Sequence, residues 1–191
     1  FTDPDGVFFK LEETAPPHAD PDREMQIRAM PYVALNVSDF ERSLAFYRRL
    51  GYTESRPLPS TGALEEARAY GLDAPFQRRG AEIAIPGGDR HRLQLVQWLD
   101  PYDDEPPYPP PINHIGIDRI ALAVTDLDLA VSMLREEGAE FLSEIAPCCS
   151  GTGADETGII NLLDPAGIFL ELVGPIARRE PVAPPAWCEA D

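Results

Sequence analysis

Apolar and polar residues alternate in two widely separated stretches of this chain, and each stretch leads into a helical pattern. Val33, Leu35 and Val37 occupy every second position, with Tyr32, Ala34 and Asn36 between them. A period of two places these sets on opposite faces of a strand. Leu44, Tyr47 and Leu50 then recur at helical spacing, which predicts a helix that Gly51 stops. The same signature returns later. Ile120, Leu122 and Val124 alternate with Arg119, Ala121 and Ala123, and the helical pattern that follows ends at Gly138.

The two stretches are copies. Val33-Ala34-Leu35-Asn36-Val37-Ser38-Asp39 returns as Ile120-Ala121-Leu122-Ala123-Val124-Thr125-Asp126, an offset of 87 positions (33 to 120) that holds without a gap to Gly51 and Gly138. A closing pair follows each: Leu93-Gln94-Leu95-Val96 and Leu170-Glu171-Leu172-Val173. Two copies are too few for a solenoid array and predict paired modules that build one shared site. A third, partial copy opens the chain. Asp3-Pro4-Asp5-Gly6 with Val7 to Leu11 matches Asp164-Pro165-Ala166-Gly167 with Ile168 to Leu172, at an offset of 161 (3 to 164). It is the end of a module without its beginning. Either the chain is a fragment of a longer protein, or this strand pairs across a partner, as in a homodimer.

Ser38-Asp39-Phe40-Glu41 has the form of a capping box, with Ser38 accepting the N3 amide and Glu41 reaching back. Thr125-Asp126-Leu127-Asp128 predicts the same start for the second helix. A turn and a strand are expected over 3–12, a short helix over 64–70, and strands over 81–85, 92–99, 141–145, 158–163 and 168–173. Pro86-Gly87-Gly88-Asp89 reads as a turn. The stretch 147–158 reads as a mobile loop, and its Gly-Thr-Gly lacks the Gly-Lys-Ser/Thr of a phosphate loop. The predicted organisation is the closing strand of a partial module (1–12), a linker (13–29), a first module (30–100), a Pro-rich connector (101–112), a second module (113–175) and a Pro-rich tail (176–191).

The faces sort the chemistry. The apolar set of each strand should pack on the helices. The opposite set, Tyr32, Ala34 and Asn36 in one copy and Arg119, Ala121 and Ala123 in the other, faces away. In the closing strands Gln94, Val96 and Trp98, and Phe169, Glu171 and Val173, share that second face. Two such surfaces brought together make a cup with small residues leaving room for a ligand. Tyr32, Gln94, Arg119 and Glu171 stand at equivalent places on its walls. Tyr32 and Trp98 either stack on a planar ligand or plug the cup. Arg119 and Glu171 either work on a ligand or form a salt bridge.

Composition narrows the partners. The 191 residues hold 33 acidic and 16 basic side chains, a formal charge of −17. Such a surface repels phosphate backbones and anionic lipid, so neither nucleic acid nor a membrane is an expected partner. The 43% hydrophobic content is globular, and no run approaches the roughly 20 apolar residues of a membrane span. Three cysteines, Cys148, Cys149 and Cys188, have no framework spacing. They predict reduced thiols and a cytoplasmic setting, and no structural zinc site. Of the three histidines, His18 and His91 read as solvated surface residues and His114 as a turn residue.

The stretch Val33 to Tyr47, ending Ser43-Leu44-Ala45-Phe46-Tyr47, resembles the opening of a vicinal oxygen chelate module. That superfamily includes glyoxalase I, bleomycin-resistance proteins and extradiol dioxygenases. Asp164-Pro165-Ala166-Gly167 followed by Leu170-Glu171-Leu172 resembles its closing strand. The resemblance covers about residues 30–175 and implies an α+β fold. Paired βαβββ modules would form a cup-shaped mixed β-sheet with flanking helices. It also implies a divalent metal, held by a first-strand His and a closing-strand Glu in each module. Here those positions carry Tyr32, Arg119, Gln94 and Glu171, and only Glu171 keeps its family identity. An arginine is never a donor to a metal.

The expected function is therefore that of a metal-free, glyoxalase/bleomycin-resistance-like protein, without a cofactor. It would hold a small organic molecule with Tyr32, Asn36, Gln94, Trp98, Arg119, Phe169 and Glu171. Two alternatives stand beside it. One is a lyase, isomerase or dioxygenase in which Glu171 is a general base or metal ligand and Arg119 steadies an anion. The other is a degenerate structural half of a larger multi-module protein. Fold alone does not choose among them.

Overall fold

The computed structural model describes residues 1–11, 29–88, 91–102, 117, 119–148 and 157–177. The chain divides into two compact units, residues 1–118 with 164–168, and residues 119–163 with 169–191.

The first unit runs β1 (Tyr32–Asn36), α1 (Phe40–Arg49), β2 (Glu54–Pro57), β3 (Thr61–Gly62), α2 (Leu64–Ala69), β4 (Phe76–Ala84) and β5 (Arg92–Asp100). Its sheet has the order β1-β5-β4-β2, with β3 also on β4; β1 is parallel to β5 and the other pairs are antiparallel. The second unit runs β6 (Ile120–Ala123), α3 (Leu127–Glu136), β7 (Ala146–Pro147), β8 (Thr157–Leu163) and β9 (Phe169–Pro175). Its order is β6-β9-β8-β7, again with one parallel pair, β6 and β9. Each sequence copy thus builds its own mixed sheet, and the fold class is the expected α+β.

The repeat persists in the hydrogen bonds. Val37 N donates to Val96 O at 2.8 Å where β1 leaves the sheet, and Val124 N donates to Val173 O at 2.8 Å where β6 does. Gly51 and Gly138 adopt φ of +95° and +81°. Their amides close the helix ends on Arg48 O and Arg135 O, at 3.1 and 3.0 Å. Only glycine takes that backbone without strain, which is why both helical patterns stop there.

Burial follows the predicted faces in part: Val96, on the opposite face, is also buried at 4% exposure, and Ile120, Leu122 and Val124 are half-buried. Leu35, Val37, Leu93 and Leu95 are buried, as are Phe40, Leu44 and Tyr47 of α1. Gln97 confirms that this face meets the helix: its side chain accepts from Phe40 N and donates to Ser38 O. In the second unit Leu127, Val131 and Leu134 of α3 are buried, with Leu170 and Leu172 at 0% exposure.

Both helices start one residue later than the capping-box reading. Asp39, with extended backbone at φ −135°, is the N-cap of α1, and its carboxylate accepts from Arg42 N at 3.1 Å. Asp126 caps α3 in the same way, accepting from Leu129 N at 2.9 Å. A carboxylate satisfies the free amide and also suits the positive helix end, so it prevails over the neighbouring hydroxyl. Glu41 does not reach back; it pairs with Arg79. Asp39→Ala is expected to lower unfolding free energy by about 1 kcal/mol, as read by urea denaturation, whereas Ser38→Ala leaves it nearly unchanged.

Other expectations need correction. The strand expected over 3–12 is a turn with a single bridge, Thr2 to Phe8. That turn is nonetheless a faithful copy. Asp3 Oδ1 accepts from Asp5 N and Val7 N at 3.0 and 2.8 Å, and Asp164 Oδ1 accepts from Ala166 N and Ile168 N at 2.8 and 2.8 Å. Gly6 and Gly167 share φ of +84° and +85°. The strand expected over 141–145 is only the bridge Phe141 to Leu162, with β7 displaced to Ala146–Pro147. There the Ser143 hydroxyl takes the Asn161 amide in place of a regular ladder. The pattern also missed β2 and β3. All four residues of β2 are exposed, so no apolar alternation marks this short edge strand. Most of the linker, the connector, the 147–158 loop and the tail lie outside the described residues. Among the described residues no helix is long and apolar enough to cross a membrane.

Candidate functional site

Each sheet has a face turned away from its helix, and that open face carries the polar chemistry. In the first unit, pairing brings Arg56 beside Glu82, Glu82 beside Gln94, and Gln94 beside Ala34. Glu82 is 9% exposed and forms the centre of this row. Its Oε1 accepts from Arg56 Nη2 at 3.1 Å and from Arg92 Nη1 at 3.3 Å. Its Oε2 accepts from Gln94 Nε2 at 3.2 Å. A carboxylate this deep in a sheet is tolerable only because each oxygen is bonded.

An aromatic block fills the other end of the same face. Trp98 Nε1 donates to Asn36 Oδ1 at 3.0 Å. Its ring meets Phe76 at 5.2 Å and Tyr70 at 5.9 Å between centroids, both edge-on. Phe8, from the N-terminal turn, stacks on Tyr70 at 6.2 Å. Beneath lies Arg78, 7% exposed, with its guanidinium 4.9 Å from the Phe76 centroid. Arg78 Nε donates to Pro59 O at 3.0 Å, and the side chain pairs with Glu66 at 3.6 Å. Trp98 and Asn36 thus meet each other, and Trp98 packs on rings of its own unit.

The second unit repeats the plan with the groups exchanged. Glu171 pairs across the sheet with Asn161 and with Ala121. Arg119, just ahead of β6, sets its Nε 3.2 Å from Glu171 Oε2; the two side chains are 43% and 15% exposed. The salt-bridge alternative raised by the sequence is therefore present. Phe169 lies half-buried on the same strand as Glu171. The first sheet has Glu82 opposite Gln94; the second has Asn161 opposite Glu171. Each open face thus holds one carboxylate and one amide as a cross-strand pair, on exchanged strands, and each carboxylate is held by arginine.

Tyr32, Asn36, Gln94 and Trp98 all belong to the first open face, and Arg119, Phe169 and Glu171 to the second. Arg56, Arg78, Glu82 and Arg92 were not singled out from sequence. One signal was available for Glu82: it is a lone charge in the apolar run Ala81-Glu82-Ile83-Ala84-Ile85. His91 is exposed, and Cys148 is half-buried with its amide on Thr157 O at 2.8 Å. His18, His114, Cys149 and Cys188 lie outside the described residues.

A family model, the Glyoxalase/Bleomycin resistance protein/Dioxygenase superfamily, matches residues 29–172. Among solved structures, a glyoxalase family protein from Bacillus cereus is similar at a TM-score of 0.64 and 21% identity, over 81% of this chain and 98% of that one. A glyoxalase family protein from Enterococcus faecalis is similar at 0.52 and 21% identity, over 78% and 99%. At these identities the likeness concerns the fold. Comparison with curated proteins returns no match.

The family implies a divalent metal, and the donor set here does not fit one. Tyr32 and Arg119 stand where the resemblance implies histidine, and Arg119 places a permanent cation against Glu171. Among the described residues no three His, Cys, Asp or Glu side chains converge as a metal-holding group.

Proposed function

Because this chain belongs to the Glyoxalase/Bleomycin resistance protein/Dioxygenase superfamily, we propose that it binds a small organic molecule, without a metal, on the open faces of its sheets. The observation that carries this reading is the arginine on each open-face carboxylate. Arg119 on Glu171, and Arg56 with Arg92 on Glu82, each hold one oxygen of the carboxylate and set a fixed positive charge where a metal cation would stand. The partly exposed guanidiniums stand beside small residues such as Ala34, Ala121 and Ala123. Such a surface suits neutral or anionic oxygen on a molecule with apolar or aromatic parts.

Elemental analysis after metal-supplemented purification should find well below one equivalent of iron, zinc, nickel or manganese. A stoichiometric metal that depends on Glu171 rejects the proposal and favours the lyase, isomerase or dioxygenase alternative. A thermal-shift screen of small organic molecules then identifies a ligand. With that ligand, Arg119→Ala is expected to weaken binding by roughly 1.5–3 kcal/mol, the range for a hydrogen bond to a charged group. An unchanged affinity with a lowered melting point would leave Arg119 as a structural partner of Glu171 alone.

A further inference from the structure

We propose that Arg56, Glu82 and Arg92 form an anion-reading site that takes the carboxylate of a small organic acid. The proposal deepens the small-molecule reading above and rests on it. Both arginines donate to one oxygen of Glu82, so their Nη atoms lie at most 6.4 Å apart, the sum of the 3.1 and 3.3 Å contacts. One carboxylate cannot neutralise two guanidiniums. The group therefore keeps one positive charge, in a chain whose formal charge is −17. Among the described residues, Glu82 is the one acidic side chain within ion-pair distance of either arginine.

The geometry separates this from a simple salt bridge. Glu82 sits at 10% side-chain exposure, anchored through its second oxygen by Gln94, while Arg56 and Arg92 are 73% and 40% exposed. The buried member is the anchor and the accessible members are the donors. A guanidinium has five N–H groups, and a single one on each arginine is used on Glu82. The others remain for a second carboxylate, which planar guanidiniums match with paired hydrogen bonds. The neighbours Ala34 and Ala84 add no bulk to the row. A monoanion fits better than a phosphate dianion, because Glu82 and the acidic surface repel the second charge.

The test uses benzoate as the probe and benzamide as its uncharged counterpart, with the full 191-residue chain. Titration is followed by calorimetry and by the arginine Nε–Hε resonances. Benzoate at millimolar concentration should shift the Arg56 and Arg92 resonances, and benzamide should not. Arg92→Gln or Arg56→Gln should weaken benzoate by about tenfold, the loss of one charged hydrogen bond. Glu82→Gln keeps a side-chain oxygen that can accept from both arginines while it raises the local charge, and should therefore tighten benzoate. If benzoate leaves both resonances in place, or Glu82→Gln weakens it as much as the arginine variants do, the assignment is wrong. Should a screened neutral compound bind the open face without moving these resonances, the anion site falls and the small-molecule reading stands. Should no compound bind at all, both fall.

Discussion

Replacing Asp164 with alanine is expected to lower unfolding free energy by about 3 kcal/mol, while asparagine at the same position should be harmless at neutral pH. Asp164 is 4% exposed, and its turn, residues 164–168, belongs to the first unit. One carboxylate oxygen caps the turn by accepting from Ala166 N and Ile168 N, at 2.8 Å each. The other accepts from the hydroxyl of Tyr47 at 3.0 Å, and Tyr47 has no exposed surface. Alanine would strand that hydroxyl and two turn amides, which is costly for buried groups. Asparagine keeps the capping oxygen and presents an amide to a hydroxyl that can reverse its role.

The charge of Asp164 makes this contrast depend on pH. Burial pushes its carboxyl above the usual value of 3.8, and the hydrogen bonds from Ile168, Tyr47, Ala166 and Gly167 offset only part of that. Burial, with the nearby Asp164 charge, likewise holds the Tyr47 hydroxyl protonated well above its ordinary range. A carboxyl raised in the folded state keeps a proton that the unfolded chain has released. Its contribution is therefore fully present below 3.8 and is lost as pH rises through the folded value. The stability of Asp164→Asn relative to the unmodified chain should thus grow with pH across that window and level off above it. Denaturant melts at several pH values measure this difference, in which the other carboxylates cancel. A difference that stays flat with pH would show that the folded environment does not disfavour the charge.

What was legible in the sequence was local and periodic. β1, α1 and β5, and their copies β6, α3 and β9, announce themselves because one face of each is apolar at period two or 3.6. The helix stops at Gly51 and Gly138 were legible for the same kind of reason, a backbone only glycine adopts easily. The caps were misplaced by one residue because Ser38-Asp39 and Thr125-Asp126 each offer two competent oxygens, and the carboxylate, which also suits the positive helix end, takes the free amide. β2 was invisible because an exposed edge strand carries no apolar signal.

The site was legible by face but not by contact. Alternation places Gln94 and Trp98 on one side of β5, yet it says nothing of which residue of β4 lies opposite each. Glu82 meets Gln94 through sheet register, and Arg56 reaches Glu82 across 26 positions of sequence. The indole of Trp98 finds Asn36 at a separation of 62 positions, and Tyr47 finds Asp164 at 117. Such pairings depend on strand order and on which rings pack first, and neither is encoded in a window of a dozen residues. Arg119 with Glu171 was foreseeable because both belong to the repeat, and β6 and β9 carry the same parallel register as β1 and β5.

That shared register leads to the last expected result: Leu95→Ala and Leu172→Ala should cost nearly the same, about 3 kcal/mol each. Both leucines have no exposed surface. Leu95 pairs with Leu35 on one side and Ala81 on the other; Leu172 pairs with Leu122 and Ile160. Each therefore sits in a strand with neighbours on both sides, beneath the buried stripe of one helix. Truncation removes the transfer energy of a whole side chain and leaves a cavity that a central strand cannot close, because its backbone is held by ladders on both edges. Leu99→Ala on β5 is the control: that leucine is 52% exposed, and its loss should cost under about 1 kcal/mol. Residue-resolved hydrogen exchange reads each unit by itself, without assuming that both unfold in one transition. If Leu172→Ala proves as mild as Leu99→Ala while Leu95→Ala does not, the two sequence copies share a pattern but not an equally packed core.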